Sequence, residues 1–241
     1  MLKYILLDLD GTMLPMNQDE FIKSYFTELC NRFCPVFKIE DERLIKAVWK
    51  STTAMVKNDG SEPNIKVFWK KFASILGKGV LNYVKDFDDF YKNEFLETKK
   101  TSGYNPNMPE AVKTLRRKGY TLVAATTPLF PESAIMSRLK WAGMRKEDFA
   151  LVTTYENSCS AKPNPVYYKE ILKKLKAEPG ECMMVGNDVS EDMLPAKALG
   201  LKTYLVTDCL INRDDRDYSE FKSGTARDFL TFARTMPDAK K

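Results

Sequence analysis

The chain has 241 residues, with 38 Lys and Arg against 33 Asp and Glu, a net charge of +5, and no histidine. The missing imidazole excludes Ser-His-Asp and Cys-His nucleophiles, His general bases and every His-containing zinc or iron site. Proton transfer near neutral pH is left to carboxylates, Lys, Tyr or Cys with tuned pKa.

The length suits one large domain or two modest ones, and 44% hydrophobic with 29% charged residues describes an ordinary soluble globular protein. Lys and Arg are scattered among the acids, so no nucleic-acid partner is expected. The longest uncharged stretch, Gly119 to Pro131, is too short to span a bilayer and is broken by Pro128, so no membrane partner is expected. The apolar N-terminus stops at Asp8, which argues against a signal peptide. Cys30, Cys34, Cys159, Cys182 and Cys209 are odd in number and contain no Cys-x-x-Cys pair. They read as reduced thiols of a cytoplasmic protein. None has an Arg six residues downstream, against a Cys-x5-Arg phosphatase loop.

Tyr4 to Leu7 predicts a buried strand that leaves the sheet in Asp8-Leu9-Asp10-Gly11-Thr12. Residues 16–100 then carry apolar residues at helical spacing: Phe21 to Phe33, Leu44 to Val56, Phe68 to Leu76 and Val80 to Phe95. They predict about four amphipathic helices with no strand between them. This segment holds 14 of the chain's 28 aromatic residues. Such enrichment implies a small bundle with its own core; a substrate pocket lined by some of the rings is the second reading. Beyond it, strands are predicted at Thr121 to Ala125, Phe149 to Thr153, Cys182 to Val185 and Thr203 to Val206. Helical faces marked by Ala111 and Leu115, by Ile135 and Leu139, and by Tyr167 and Ile171 alternate with them. A closing helix from about Arg227 precedes a frayed Lys-rich tail. The alternation implies an α/β fold, a parallel sheet with helices on both faces, whose ligands bind beyond the C-terminal strand ends. An insert directly after the first strand would sit over that place, as a lid does.

Four signals fall at successive strand ends. Asp8 and Asp10 form a close carboxylate pair able to hold a divalent cation, one as nucleophile and the other handling protons. Thr126 and Thr127 offer hydroxyls and a backbone N–H that suit a phosphate oxygen. Lys162, in Lys162-Pro163-x-Pro165, precedes a helix whose dipole does not favour a cation, which hints at a compensating anion. Gly186-Asn187-Asp188-Val189-Ser190-Glu191-Asp192 places Asp188 and Asp192 on one helical face. The loop at residues 57–62 reads as a polar connector between helices and is left out of the site.

In this joint order the sequence resembles the haloacid dehalogenase-like hydrolase superfamily, whose four motifs match Asp8 to Thr12, Thr126, Lys162 and Gly186 to Asp192. The resemblance implies a Rossmann-like core, residues 1–15 and 101–241, with 16–100 as an inserted all-α cap. It implies a phosphoric monoester hydrolase in which Asp8 attacks phosphorus and becomes an aspartyl-phosphate, while Asp10 protonates the leaving oxygen and then deprotonates water. Thr126 and Lys162 would hold the phosphoryl oxygens, with Thr127 as a further substrate contact. Mg²⁺ would be held by Asp8, the Asp10 carbonyl and an acid of the last cluster. Asn187 stands where the family's common pattern has Asp, so Asp188 is the expected ligand, with Asn187 or Asp192 as the alternatives. Asp10 itself favours phosphate over halide chemistry, since the dehalogenase branch lacks an acid there. The expected substrate is a small phosphorylated metabolite. A phosphosugar mutase and a non-catalytic phosphate- or metal-binding module are the alternatives.

Overall fold

The computed structural model describes residues 1–239. Six short strands are present among the described residues: β1 (Tyr4–Leu7), β2 (Thr121–Ala124), β3 (Leu151–Val152), β4 (Cys182–Gly186), β5 (Lys202–Val206) and β6 (Ser223–Gly224). They form one all-parallel sheet in the order β3-β2-β1-β4-β5-β6. Order reverses on either side of β1, so β1 is central and its end lies at the switch point where open sheets of this kind bind ligands.

Both faces of the sheet are covered, which is why its strands are apolar on both sides rather than alternating. Ile5, Leu7, Leu122, Ala124 and Val185 join one core; Leu6, Val123, Cys182 and Met184 join another. Between β1 and β2 run α1 (Gln18–Phe37), α2 (Asp41–Val56), α3 (Asn64–Leu76), α4 (Val84–Lys92) and α5 (Asn107–Arg117). Then follow α6 (Glu132–Trp141), α7 (Pro165–Leu175), α8 (Leu194–Ala198) and α9 (Ala226–Thr235). Apolar residues of α5, α6 and α9 belong to the first core, and those of α7 and α8 to the second.

Three details differ from the sequence reading. The fourth expected helix is broken: 3₁₀ turns at Lys78–Tyr83 and Glu94–Thr101 flank α4. The strand expected at Phe149 to Thr153 is only two residues long, and β6 carries too little sequence to have been seen. The expected frayed tail is docked as far as Ala239. Its amide donates to the Lys118 carbonyl at 2.7 Å, and Tyr120 Oη donates to the Pro237 carbonyl at 2.7 Å. Lys240 and Lys241 lie outside the described residues.

The helical segment leaves and rejoins the sheet at one neck. Met16 and Ser102 pair as an antiparallel bridge, and the Gly103 amide donates to the Pro15 carbonyl at 2.7 Å. Its rings pack among themselves, as in the parallel Phe33–Phe87 stack with centroids 3.9 Å apart. They are also continuous with the first sheet core, and Phe21, Tyr25, Tyr91 and Phe95 all meet Phe130 from the loop after β2.

A second anchor is polar. Asn64, fully buried at the start of α3, donates to the Ser160 carbonyl at 2.9 Å and the Pro128 carbonyl at 3.2 Å, and accepts from Asn58 at 2.9 Å. The loop at 57–62 is therefore tied down through buried Asn58, and its residues do not line the cavity described below. Asn64→Leu would keep the volume but orphan two buried carbonyls, each costing about 1–3 kcal/mol. We expect a loss of about 2–5 kcal/mol in urea unfolding; a loss under about 1 kcal/mol would mean that water replaces the amide.

Candidate active site

β1 delivers Asp8 to the middle of the sheet's C-terminal edge, where its amide donates to the Val185 carbonyl at 2.9 Å. The chain then turns sharply at Gly11, whose φ is +84°. A β-carbon there would lie 2.3 Å from the Asn187 side-chain nitrogen, so conformation and space both demand glycine. The turn lets Asp10 and Thr12 face the same region as Asp8.

Asp8 is buried, with both oxygens engaged. Lys162 Nζ donates to Oδ1 at 2.7 Å, and Thr12 Oγ1 lies 3.0 Å from Oδ2. The same hydroxyl is 3.0 Å from Asn187 Oδ1, so its single proton serves one acceptor at a time. Asn187 Nδ2 donates to the Cys209 carbonyl at 2.6 Å. Asn187 thus accepts and donates within the scaffold, a task its amide performs and a carboxylate does not.

Lys162 is 2% exposed, not a surface lysine. The anions that compensate its position are Asp8 and Asp192, whose Oδ1 accepts from Nζ at 2.7 Å. Burial alone would lower the ammonium's pKa, but Asp192 and Asp8 outweigh it and hold Lys162 well above its ordinary value. Asp192 also accepts the Asn187 and Asp188 amides at 3.1 Å through Oδ2. Burial pushes its carboxyl upward, opposed by Lys162. Gly186 gives that carboxylate its space, for a β-carbon there would sit 2.2 Å from Asp192 Oδ2.

The helix expected after Gly186 begins as a π-helical turn, Val189–Met193, the kind of local widening that recurs at functional sites. Asp188 caps it, accepting the Ser190 and Glu191 amides at 2.8 and 2.9 Å through Oδ1. Its Oδ2 has no partner among the described residues. Thr126 is buried at the end of β2, its carbonyl fixed by Thr153 Oγ1 at 2.6 Å and Tyr167 Oη at 3.0 Å. Thr127 Oγ1 lies 3.4 Å from Glu191 Oε2. Burial raises the Glu191 carboxyl, with Asp188 adding to the rise.

Every residue chosen from the sequence, Asp8, Asp10, Thr126, Thr127, Lys162, Asn187, Asp188 and Asp192, lines one cavity of about 290 Å³ between the sheet edge and the helical segment. Sequence reasoning missed Arg138. This side chain of α6 is 1% exposed, ion-paired with Asp10, and faces the Phe130 ring with its guanidinium carbon 4.5 Å from the centroid. The available signal was a charged residue on the same helical face as Ile135 and Leu139. Burial raises the Asp10 carboxyl, Arg138 draws it back and Asp8 raises it again, with the sum upward. One oxygen of Asp10 and one terminal nitrogen of Arg138 remain buried without a partner. Thr12 was also missed in its role of orienting Asp8.

The donor set is made of hard oxygens, which suits Mg²⁺. Five carboxylates, Asp8, Asp10, Asp188, Glu191 and Asp192, line the cavity. Lys162 serves two of them and Arg138 one, which leaves an excess of negative charge that a divalent cation fits.

The sequence pattern of one family, described as haloacid dehalogenase-like hydrolase, matches residues 5–206. A phosphoglycolate phosphatase of Vibrio vulnificus is 31% identical over 121 residues, 50% of this chain and 50% of that protein. The chain spans about half the length of the first curated relatives it matches. The pyrophosphatase PpaX of Bacillus cereus is 26% identical over 204 residues, covering 84% of this chain and 82% of that one. A solved structure of a HAD phosphatase from Thermococcus onnurineus superposes with TM-score 0.62 at 20% identity, over 99% of this chain and 100% of that one.

Arg138→Met would leave the Asp10 carboxylate without its ion-pair partner. Breaking a buried pair from one side costs about 3–5 kcal/mol, and urea unfolding should report a loss of that order. A variant as stable as the parent would show that water or protonation already neutralises Asp10.

Proposed function

The chain belongs to the haloacid dehalogenase-like hydrolase family, and on that premise we propose that it is a Mg²⁺-dependent phosphatase acting on a small phosphate monoester through an aspartyl-phosphate. The observation that carries this reading is Asp8 itself: a buried carboxylate at the central strand end, oriented by Lys162 and Thr12, with Asp10 two residues on. The names of the curated relatives support the phosphate chemistry.

In the proposed reaction an Asp8 oxygen bonds to phosphorus as the ester P–O bond breaks. Asp10 passes a proton to the leaving alcohol oxygen. Asp10 then takes a proton from water as that water's oxygen bonds to phosphorus, the Asp8–phosphorus bond breaks, and inorganic phosphate leaves. Lys162 and Thr126 bind the phosphoryl oxygens, and Thr127 adds a contact at the substrate side. A carboxylate and a phosphate dianion repel one another, so cationic groups must offset the charge before attack. Burial raises the Asp10 carboxyl against the pull of Arg138, and the pairing with Arg138 fixes the position of its side chain.

Mg²⁺, when bound, supplies further charge neutralisation and orients the phosphoryl group. Asp8, the Asp10 carbonyl and Asp188 are the residues proposed to hold it. Asp188 is preferred because Asn187 is committed at both ends of its amide and Asp192 at both oxygens. Residues 16–100 serve as the cap over a core of 1–15 and 101–241. The cytoplasm is the proposed compartment, on the reduced state of the five cysteines.

Asp8→Asn should abolish phosphate release from an aryl phosphate with the fold retained by circular dichroism; substantial turnover in that variant removes the nucleophile assignment. EDTA should stop the reaction and Mg²⁺ restore it. Asp10→Asn should cost a large factor for alkyl esters and less for aryl esters with good leaving groups, because only poor leaving groups need its proton. With no histidine present, a limb of the pH–rate profile near pH 6 should move with the second pKa of the substrate phosphate, which lies at about 6. A limb fixed across substrates would belong instead to a raised carboxyl of the protein.

A further inference from the structure

Twelve side chains of the helical segment line the cavity, and none of them is charged. Ten are apolar or aromatic, among them Phe21, Tyr25, Phe26, Trp49 and Phe68; Gln18 and Thr52 are the two polar ones. The hydroxyls of Tyr25 and Tyr91 bond to each other at 2.9 Å, which uses one of their two protons. Gln18 Oε1 accepts from Arg213 at 3.4 Å. The roof therefore offers a polar group only neutral partners, Thr52, the Gln18 amide and one phenol proton, and no charge.

The floor is equally restrictive. Lys162 lies between Asp8 and Asp192, and Arg138 is paired with Asp10. Arg213, an exposed residue at the rim, is the remaining cation of the lining. A substrate with a second anionic group, carboxylate or phosphate, would push that charge against five carboxylates or into a ring-lined roof. Burying an unpaired charge is strongly unfavourable, and unpaired hydroxyls of a sugar also cost free energy. A hydrocarbon group instead gains from leaving water. Trp49, 46% exposed and tilted over Phe26 with centroids 5.5 Å apart, adds an aromatic platform.

We propose that the substrate is a phosphate monoester of an uncharged, predominantly apolar alcohol, alkyl or aryl, whose hydrocarbon body fills the space beneath α1 and α2. This rests on the phosphatase reading above and leaves its chemical steps unchanged. It sets this chain apart in substrate from the phosphoglycolate phosphatase and pyrophosphatase whose names its relatives carry.

The test is the Mg²⁺-loaded protein on n-alkyl phosphates from methyl to hexyl, beside phosphoglycolate, pyrophosphate and glucose 6-phosphate. Leaving-group chemistry is nearly constant beyond ethyl, so the series reads burial. kcat/KM should rise by about fourfold per added methylene until the space is full. Trp49→Ala should flatten that slope, and Thr52→Arg should shift the preference toward phosphoglycolate over hexyl phosphate by about tenfold or more. A flat or falling series, or faster turnover of phosphoglycolate or glucose 6-phosphate, overturns the apolar class and leaves the phosphatase standing. No phosphate from any ester, with no beryllium fluoride bound at Asp8, brings down the phosphatase reading and this inference with it.

Discussion

A buried ammonium between two buried carboxylates governs the architecture of this site. Lys162 Nζ lies 2.7 Å from both Asp8 and Asp192. Taking three charges out of water costs several kcal/mol per ion, and the cost is met only where geometry is close and spare lone pairs are satisfied. The surrounding chain meets both conditions. Thr12 takes the second oxygen of Asp8, and two backbone amides take the second oxygen of Asp192. Gly186 lacks a β-carbon because Asp192 occupies that space, and Gly11 lacks one because Asn187 does. The triad joins β1, the segment before α7 and the turn after β4, three elements distant in sequence. Moving any one of them strands a charge in the others, and this fixes the geometry around Asp8.

That triad already engages the lysine with two carboxylates. Asp10 takes buried Arg138, so among the described residues Asp188 and Glu191 face the cavity with no ion pair of their own, and exposed Arg213 is the nearest spare cation of the lining. Two consequences follow from the same charge count. The acidic side of the cavity suits a divalent metal, and the only cation left over for a second negative group is exposed Arg213 at the rim. Metal preference and substrate preference are thus linked through Lys162 and Arg138, although these residues sit on different elements.

The candidate residues Asp8, Thr126 and Asp188 were legible in the sequence because each follows an apolar run that ends a strand, whereas Lys162 lies well past β3 and was marked by its place before α7. Their type and order along the chain carried the signal, and the sheet then brought them together. The parallel sheet and the helical insert were legible for the same reason: period and run length are local properties. Arg138 was not, since its meaning lies in a partner 128 residues away and its helix has only weak amphipathic patterning. Thr12 was quoted within a motif, but nothing local tells a hydroxyl that orients a carboxylate from one that faces water. The aromatic enrichment of residues 16–100 was read as a choice between core and pocket. The rings do both, because Phe21 and Tyr25 belong to the hydrophobic core and also line the cavity.

The double use of those rings ties stability to chemistry. A roof of Phe, Tyr and Trp held by its own packing keeps a low-dielectric surface over the acidic floor. In such surroundings charge interactions are stronger than in water, so Lys162 and Arg138 act on their partners with little screening. Burial also raises the Asp10 carboxyl, against the pull of Arg138, in a chain that has no imidazole. The anchoring of the roof through Asn64 to the carbonyls of Pro128 and Ser160 connects it to the loops that carry Thr126 and Lys162. Any motion of the helical segment must then pull on both loops together.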